Sequence, residues 1–247
     1  MDALKFTLKG KTAFFKKPDV NTYFYFTYGN IHKIALLGIL GAILGLKGYN
    51  DQSEDHIYPE FYEKLKDIKI GIVPLNHQGY IPKKIQTFNN SVGYASKEQG
   101  GNLIVKEQWL EEPSWEIYIL LKGDLENQLK DNILNYNFKF IPYLGKNDHI
   151  AIIENVELIK GVKKIDKLKK INSLAIKNYF SFIGDSLDFD EEDESEDMFK
   201  YEEMLPISLE ENTNKYDLKP FIYTNLSIEN SSYDLIYECN DKNIFFF

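Results

Sequence analysis

The chain has 247 residues and a formal net charge of −9, with 43% apolar and 15% aromatic side chains. That apolar content supports a buried core and excludes a globally disordered chain. The acidity is local: residues 185–203 hold eleven acids and one lysine, while the other 228 residues hold 27 acids against 28 lysines. A negative total therefore does not exclude a polyanionic partner.

Cys239 is the only cysteine, which excludes an intramolecular disulfide and a multi-thiolate metal cluster. The first residues lack the charged-then-apolar profile of a signal peptide, so a cytoplasmic protein is expected. All 29 basic residues are lysine. Phosphate contacts must then come from lysine, backbone N–H groups or polar side chains, without the two-pronged guanidinium.

In chain order, residues 4–15 alternate Phe6, Leu8, Ala13 and Phe15 with Lys5, Lys9 and Lys11, which predicts a strand with one basic face. An aromatic stretch, Tyr23 to Phe26, leads into a helix that Thr27 or Asn30 can cap and that runs to about Leu46. Its apolar run spans roughly 20 Å of helix against a bilayer core of ~30 Å, so it reads as a core helix with no membrane role. Gly38, Gly41 and Gly45 predict a close approach to a flat neighbour. Residues 49–62 read as loop, and Ile68, Ile70, Ile72 and Pro74 as a second strand ending at the proline. From 79 to 108 the composition turns to Asn, Ser, Gly, Gln and Lys with strand-like ends. That is the profile of a long projecting hairpin, with Asn89-Asn90 and Gly100-Gly101 as breakers.

Residues 116–122 predict a strand. Leu125, Leu129 and Ile133 predict the apolar face of a helix capped by Asp124, and 138–143 and 150–159 predict two more strands. Strand, helix, strand, hairpin, strand, helix, strand is a split βαβ pattern, so residues 1–159 are expected to form an α+β domain of ferredoxin-like or RRM-like type. Residues 160–170 hold six lysines, either a solvated helix face or a nucleic-acid patch. The acidic run up to residue 203 reads as a solvated disordered loop; a shield against stray nucleic acid, or a dock for a basic neighbour, is the sharper alternative. Residues 204–247 offer short strands at 205–209, 220–226, 233–238 and 244–247, a C-terminal β-rich extension.

The segment ALKFTLKGKTAFFKKPDVNTYFYFTYGNIHKIALLGILGAILGLKGY, residues 3–49, closely resembles the N-terminus of the CRISPR-associated Cas five family in its type I-B (Hmari) branch. KIGIVPL at 69–75, IPYLGKNDH at 141–149 and the C-terminal LPISL, PFIYTN and IFFF are similar to later landmarks of that family. The resemblance implies an RRM-like fold of the repeat-associated RNA-binding superfamily with a protruding β-hairpin thumb. It also implies a subunit at the foot of the Cascade surveillance complex that holds the 5′ handle of the CRISPR RNA. The implied partners are Cas seven backbone subunits, the Cas eight large subunit and, through the complex, target DNA. No cofactor is expected. In the type I-C branch the same fold cuts precursor RNA, whereas type I-B systems leave that step to a Cas six enzyme.

Three clusters are candidates for RNA contact. Tyr28, Gly29, Asn30, His32 and Lys33 lie at the predicted helix start, where free N–H groups suit a phosphate; alternatively Tyr28 and His32 merely cover that start, with Lys33 in solvent. Gly145, Lys146, Asn147 and His149 follow a strand end, where a glycine lets a backbone approach a ligand, or where a plain hairpin turn stands. The hairpin carries Lys83, Lys84, Lys97 and Lys106 with Phe88 and Tyr94, a mixture that can hold a phosphate backbone and stack on bases.

Metal-independent RNA cleavage needs a general base and a cation near the phosphorane. The four histidines are His32, His56, His77 and His149, and no lysine directly precedes any of them, so no catalytic residue carries over from the cutting branch. His77 and His149 are the loop positions worth testing. No ordered carboxylate cluster suggests a metal site. The expectation is a non-catalytic RNA-handle subunit, with a metal-independent endoribonuclease as the alternative.

Overall fold

The computed structural model describes residues 1–19, 24–165, 168–183 and 198–247. Tyr23 of the aromatic stretch, Lys167 of the lysine run and residues 185–197 of the acidic run lie outside them. The longer elements are β1 (Asp2–Lys9), α1 (Lys33–Leu44), α2 (Glu60–Leu65), β2 (Ile70–Pro74), β3 (Lys83–Asn89), β4 (Ile104–Glu111), β5 (Ser114–Leu121) and α3 (Asp124–Leu134). They continue with β6 (Ile152–Ile159), β7 (Lys200–Leu209), β8 (Tyr216–Thr224), β9 (Ile236–Cys239) and β10 (Lys242–Phe245). The chain is mixed α+β, mostly sheet with few helices.

Four strands form an antiparallel sheet in the order β2-β5-β1-β6. Side chains alternate between its faces. Leu4, Phe6, Leu8, Ile117 and Ile119 join Leu36, Leu37 and Leu40 of α1 and Leu129 and Ile133 of α3 in one core. On the other face Ala3, Val73, Tyr118 and Leu120 pack against Tyr237, Cys239, Ile244 and Phe246 of the β9–β10 hairpin. Of the basic face expected of the first strand, Lys5 and Lys9 are ion-paired and Lys11 is exposed. Lys5 Nζ lies 3.5 Å from both Glu116 and Glu157, and Lys9 2.6 Å from Glu154. That strand also ends earlier than its alternation suggests, because Thr12–Ala13 leaves the sheet to pair with β4.

α1 is capped by His32, not by Thr27 or Asn30: His32 Nδ1 accepts the Ala35 N–H at 3.2 Å. Its three glycines have three different surroundings. A Cβ on Gly41 would lie 2.7 Å from Phe61 Cβ, so this is where α2 crosses closely. Gly45, at φ +78°, ends the helix in the left-handed conformation. A Cβ on Gly38 would meet nothing within 4 Å. Residues 49–62 are not all loop. Pro59 precedes α2, Glu60 and Glu63 lie in its first turn, and Phe61, Tyr62 and Leu65 are buried.

β3 and β4 form the expected hairpin, in register from Lys83↔Leu110 to Asn89↔Ile104, with both breaker pairs at or beyond the strand ends. Residues 138–143 form no strand. The Lys139 and Phe140 N–H groups instead donate to the carbonyls of Ile43 and Ala42, at 3.0 and 3.1 Å. The Ile43 carbonyl at the helix end is satisfied here, and the Ala42 carbonyl, which also accepts the capping Gly45 N–H at 3.2 Å, gains a second donor. In the lysine run, Lys163–Lys164 is a short strand against β9 rather than a helix face. Residues 200–203, read as the end of the acidic loop, open β7 and pair with β8.

Candidate nucleic-acid interface

The β3–β4 hairpin and the solvent-facing side of α1 border an open groove of about 1320 Å³. Cross-strand pairs Lys84↔Trp109, Gln86↔Glu107 and Phe88↔Val105 share one face of the hairpin, and Phe88, Val105 and Glu107 line the groove. On the helix side Ala35, Gly38 and Ala42 follow at helical spacing and expose a nearly bare backbone track. Phe140, Ile141 and Tyr143 close one end, more than two-fifths exposed in each case. Phe14, Lys16 and Tyr25 line it as well, with Lys16 Nζ 4.2 Å above the Tyr25 ring.

The glycine turn holds the hairpin from below. Buried Glu107 accepts Lys146 Nζ at 3.0 and 3.2 Å and Trp109 Nε1–H at 2.8 Å. The same Nζ lies 5.6 Å from the ring centres of Phe14 and Phe88. Gly145 has φ +93°, and a Cβ there would collide with the Phe14 carbonyl. The close approach that this glycine permits is thus to the chain's own backbone at Phe14 rather than to a ligand. His149 is buried, with Nδ1 2.7 Å from Thr12 Oγ1 and its ring edge-on to Trp109 at 4.6 Å. Burial holds its imidazole below the usual pKa. Asn147 is exposed at the turn.

At the helix start Tyr28, Asn30, His32 and Lys33 are all buried, so the surface cluster expected there does not form. Asn30 donates to the Gly79 carbonyl at 3.1 Å and accepts Trp115 Nε1–H at 2.9 Å. The Gly29 N–H, expected to meet a phosphate, donates to both carboxylate oxygens of Glu203 at 2.9 Å. Lys17 Nζ, at 3.2 Å, and the Tyr201 hydroxyl, at 2.8 Å, complete that carboxylate's shell. An internal anion has the place assigned to an external one. Burial, then the charge of Lys69, holds the Lys33 amine down at about 8. Burial also raises the Tyr28 phenol and pushes His32 down to about 3, so His32 is a neutral imidazole. The His32 ring lies edge-on to Tyr28 and Tyr216, at 5.1 and 5.3 Å, and borders the groove.

The hairpin candidates divide. Lys84 is ion-paired to Glu111 at 3.3 Å, Lys83 stands beside Gly29 and Glu203, Phe88 faces the groove, and Tyr94 is 78% exposed at the tip. Sequence reasoning singled out Gly38 but missed Phe14, Ala35, Ala42, Phe140 and Ile141. The spacing of small residues at 35, 38, 42 and 45 was the available signal. Among the described residues no three His, Cys, Asp or Glu side chains are grouped to hold a metal, and no helix is long and apolar enough to cross a membrane.

This architecture is shared with CRISPR-associated proteins, at low sequence identity. Over 92% of this chain and 91% of the other, it is similar to a chain of a CRISPR RNA-guided surveillance complex, at TM-score 0.53 and 10% identity. A CRISPR protein from Archaeoglobus fulgidus is similar over 99% and 98% of the two chains, at TM-score 0.50 and 13% identity. A chain of the Type III-B Cmr-beta complex bound to cognate target RNA and AMPPnP is similar over 92% and 86%, at TM-score 0.50 and 12% identity. No protein-family model and no curated protein matches the sequence.

Proposed function

We propose that this protein is a non-catalytic subunit of a type I-B Cascade surveillance complex, of the Cas five kind, that holds the 5′ handle of the CRISPR RNA. The observation that carries the reading is the likeness to a surveillance-complex chain over nine-tenths of both chains. The sheet order β2-β5-β1-β6 supports an RRM-like domain, and the β3–β4 hairpin has the place of a thumb. The groove beneath it combines aromatic side chains with Lys16 and Lys146, the combination that single-stranded RNA binders use. Cas seven, Cas eight and, through the assembly, target DNA are the partners of this reading, in the cytoplasm.

A binding role without cleavage is supported by the histidines. His32 and His149 are buried in the fold, and His77 is exposed on a separate turn. The test is co-expression with the neighbouring Cas proteins and a CRISPR array. CRISPR RNA with an intact handle is expected to co-purify, and repeat RNA incubated with the pure chain in EDTA is expected to stay whole. Loss of RNA from the assembly would count against the binding role, and cleavage abolished by His77→Ala would favour the endoribonuclease.

A further inference from the structure

The groove floor holds a feature that phosphate binding does not use. His32 is 3% exposed and borders the groove. Its Nδ1 accepts the Ala35 N–H, which leaves the ring proton on Nε2. The bond to Ala35 is the one hydrogen bond of this ring among the described residues. Beside the ring runs the Ala35, Gly38 and Ala42 track, where nothing stands within 4 Å of a Cβ placed on Gly38. Phe88 and Val105 face that track from the hairpin.

Two of the three lysines that line the groove are already engaged: Lys146 is held by Glu107 at 3.0 Å and Lys16 lies over Tyr25, while Lys47 is exposed. Glu107, Asp51 and Asp148 line the groove too, and they oppose an anion. A slot with a bare backbone floor, apolar walls and one fixed neutral N–H donor fits a flat ring that carries an acceptor on its edge.

We propose that this slot takes an unstacked nucleobase of the bound RNA, laid on the Ala35–Gly38–Ala42 track and hydrogen-bonded at its edge by His32 Nε2–H. The proposal rests on the RNA-binding reading above and adds that this part of the chain recognises a base rather than the phosphate backbone.

Two variants of the full chain test it. Gly38→Leu puts a side chain into the open slot from a Cβ that meets nothing within 4 Å, and it improves helix propensity. His32→Asn keeps an oxygen to cap the Ala35 N–H and removes the Nε2 donor. Binding of octameric oligo(A), oligo(U) and a charge-matched abasic ribose-phosphate octamer is measured by fluorescence anisotropy at fixed salt. Wild type is expected to prefer at least one base-bearing octamer over the abasic one by about fivefold or more, the lower range of one base stacked on a protein surface. Both variants are expected to lose that preference and keep the residual abasic binding. Equal wild-type affinity for abasic and base-bearing RNA overturns the base slot, as does a folded Gly38→Leu protein that retains the preference. Those outcomes leave the RNA-binding reading intact. No binding of any octamer by wild type overturns both.

Discussion

Lys146 separates two views of the glycine turn, as a phosphate contact and as a tether for the hairpin, and Lys146→Met distinguishes them. Methionine keeps the stem over Phe14 and Phe88 and removes the charge held by Glu107. At 3.0 Å, an effective dielectric of ~20 gives a gross attraction of about 5 kcal/mol. Desolvation offsets much of it, and the lysine keeps 35% exposure while the glutamate keeps 6%. Water at the lysine end screens the pair, so the net loss expected on stranding Glu107 is about 2 kcal/mol, below the range for a fully buried pair. Glu107→Gln should cost about 1 kcal/mol, because Lys146 can turn to solvent. The double variant should fall short of the sum by about 1 kcal/mol or more, the signature of a shared contact. Urea denaturation of the four proteins measures this cycle. A Lys146→Met loss under about 0.5 kcal/mol, or strictly additive losses, would refute the tether. RNA affinity provides the second readout: a tether predicts similar weakening by both single changes, and a phosphate contact predicts weakening by Lys146→Met alone.

Three further outcomes follow from the same geometry. His32 titrates at about 3 in the folded chain and at about 6.5 when unfolded, so the unfolded state binds the proton first as pH falls. Stability is then complete above that unfolded value and should fall by about 2 kcal/mol between pH 7 and pH 5; urea midpoints across that range should flatten in His32→Asn, and an unchanged slope would contradict the buried neutral ring. Gly145→Ala meets both a positive φ and the Phe14 carbonyl and should cost at least about 3 kcal/mol, whereas Gly100→Ala, at φ +80° with open space around it, should cost about 1 kcal/mol; equal thermal shifts would contradict the collision. Gly38→Ala should stabilise by about 1 kcal/mol through helix propensity, while Gly41→Ala should destabilise by about 2 kcal/mol where α2 crosses, as read by differential scanning calorimetry.

What the sequence disclosed follows the range of each signal. Periodicity in β1 and α3, and apolar runs at α1 and β5, located these elements because the fold buries their apolar residues. It misplaced residues 138–143, whose alternation looks strand-like, because the segment uses its N–H groups to close the end of α1. α2 was missed because its buried residues, Phe61, Tyr62 and Leu65, occupy only six residues of helix. The candidate site was less legible. Lysine positions showed where positive charge is, not that Glu107, Glu111 and Glu203 neutralise it from strands distant in sequence. Tyr28 and Asn30 are suited to a ligand by residue type, and tertiary packing consumes them. The groove itself belongs to no single segment, since it exists only once the hairpin stands beside α1.

The hairpin β9–β10 lying over the second face of the sheet has a further bearing on how RNA is met. A four-stranded sheet of this topology can serve as an open platform on which bases stack through exposed aromatic side chains. Here that platform is closed from within: Tyr118 and Leu120 are 1% and 0% exposed beneath Tyr237, Ile244 and Phe246. Under the RNA-binding proposal, the part of this sheet over Tyr118 and Leu120 is not open to a base, and the β3–β4 hairpin and its groove are the surfaces left to make the contact while the sheet serves as a mount.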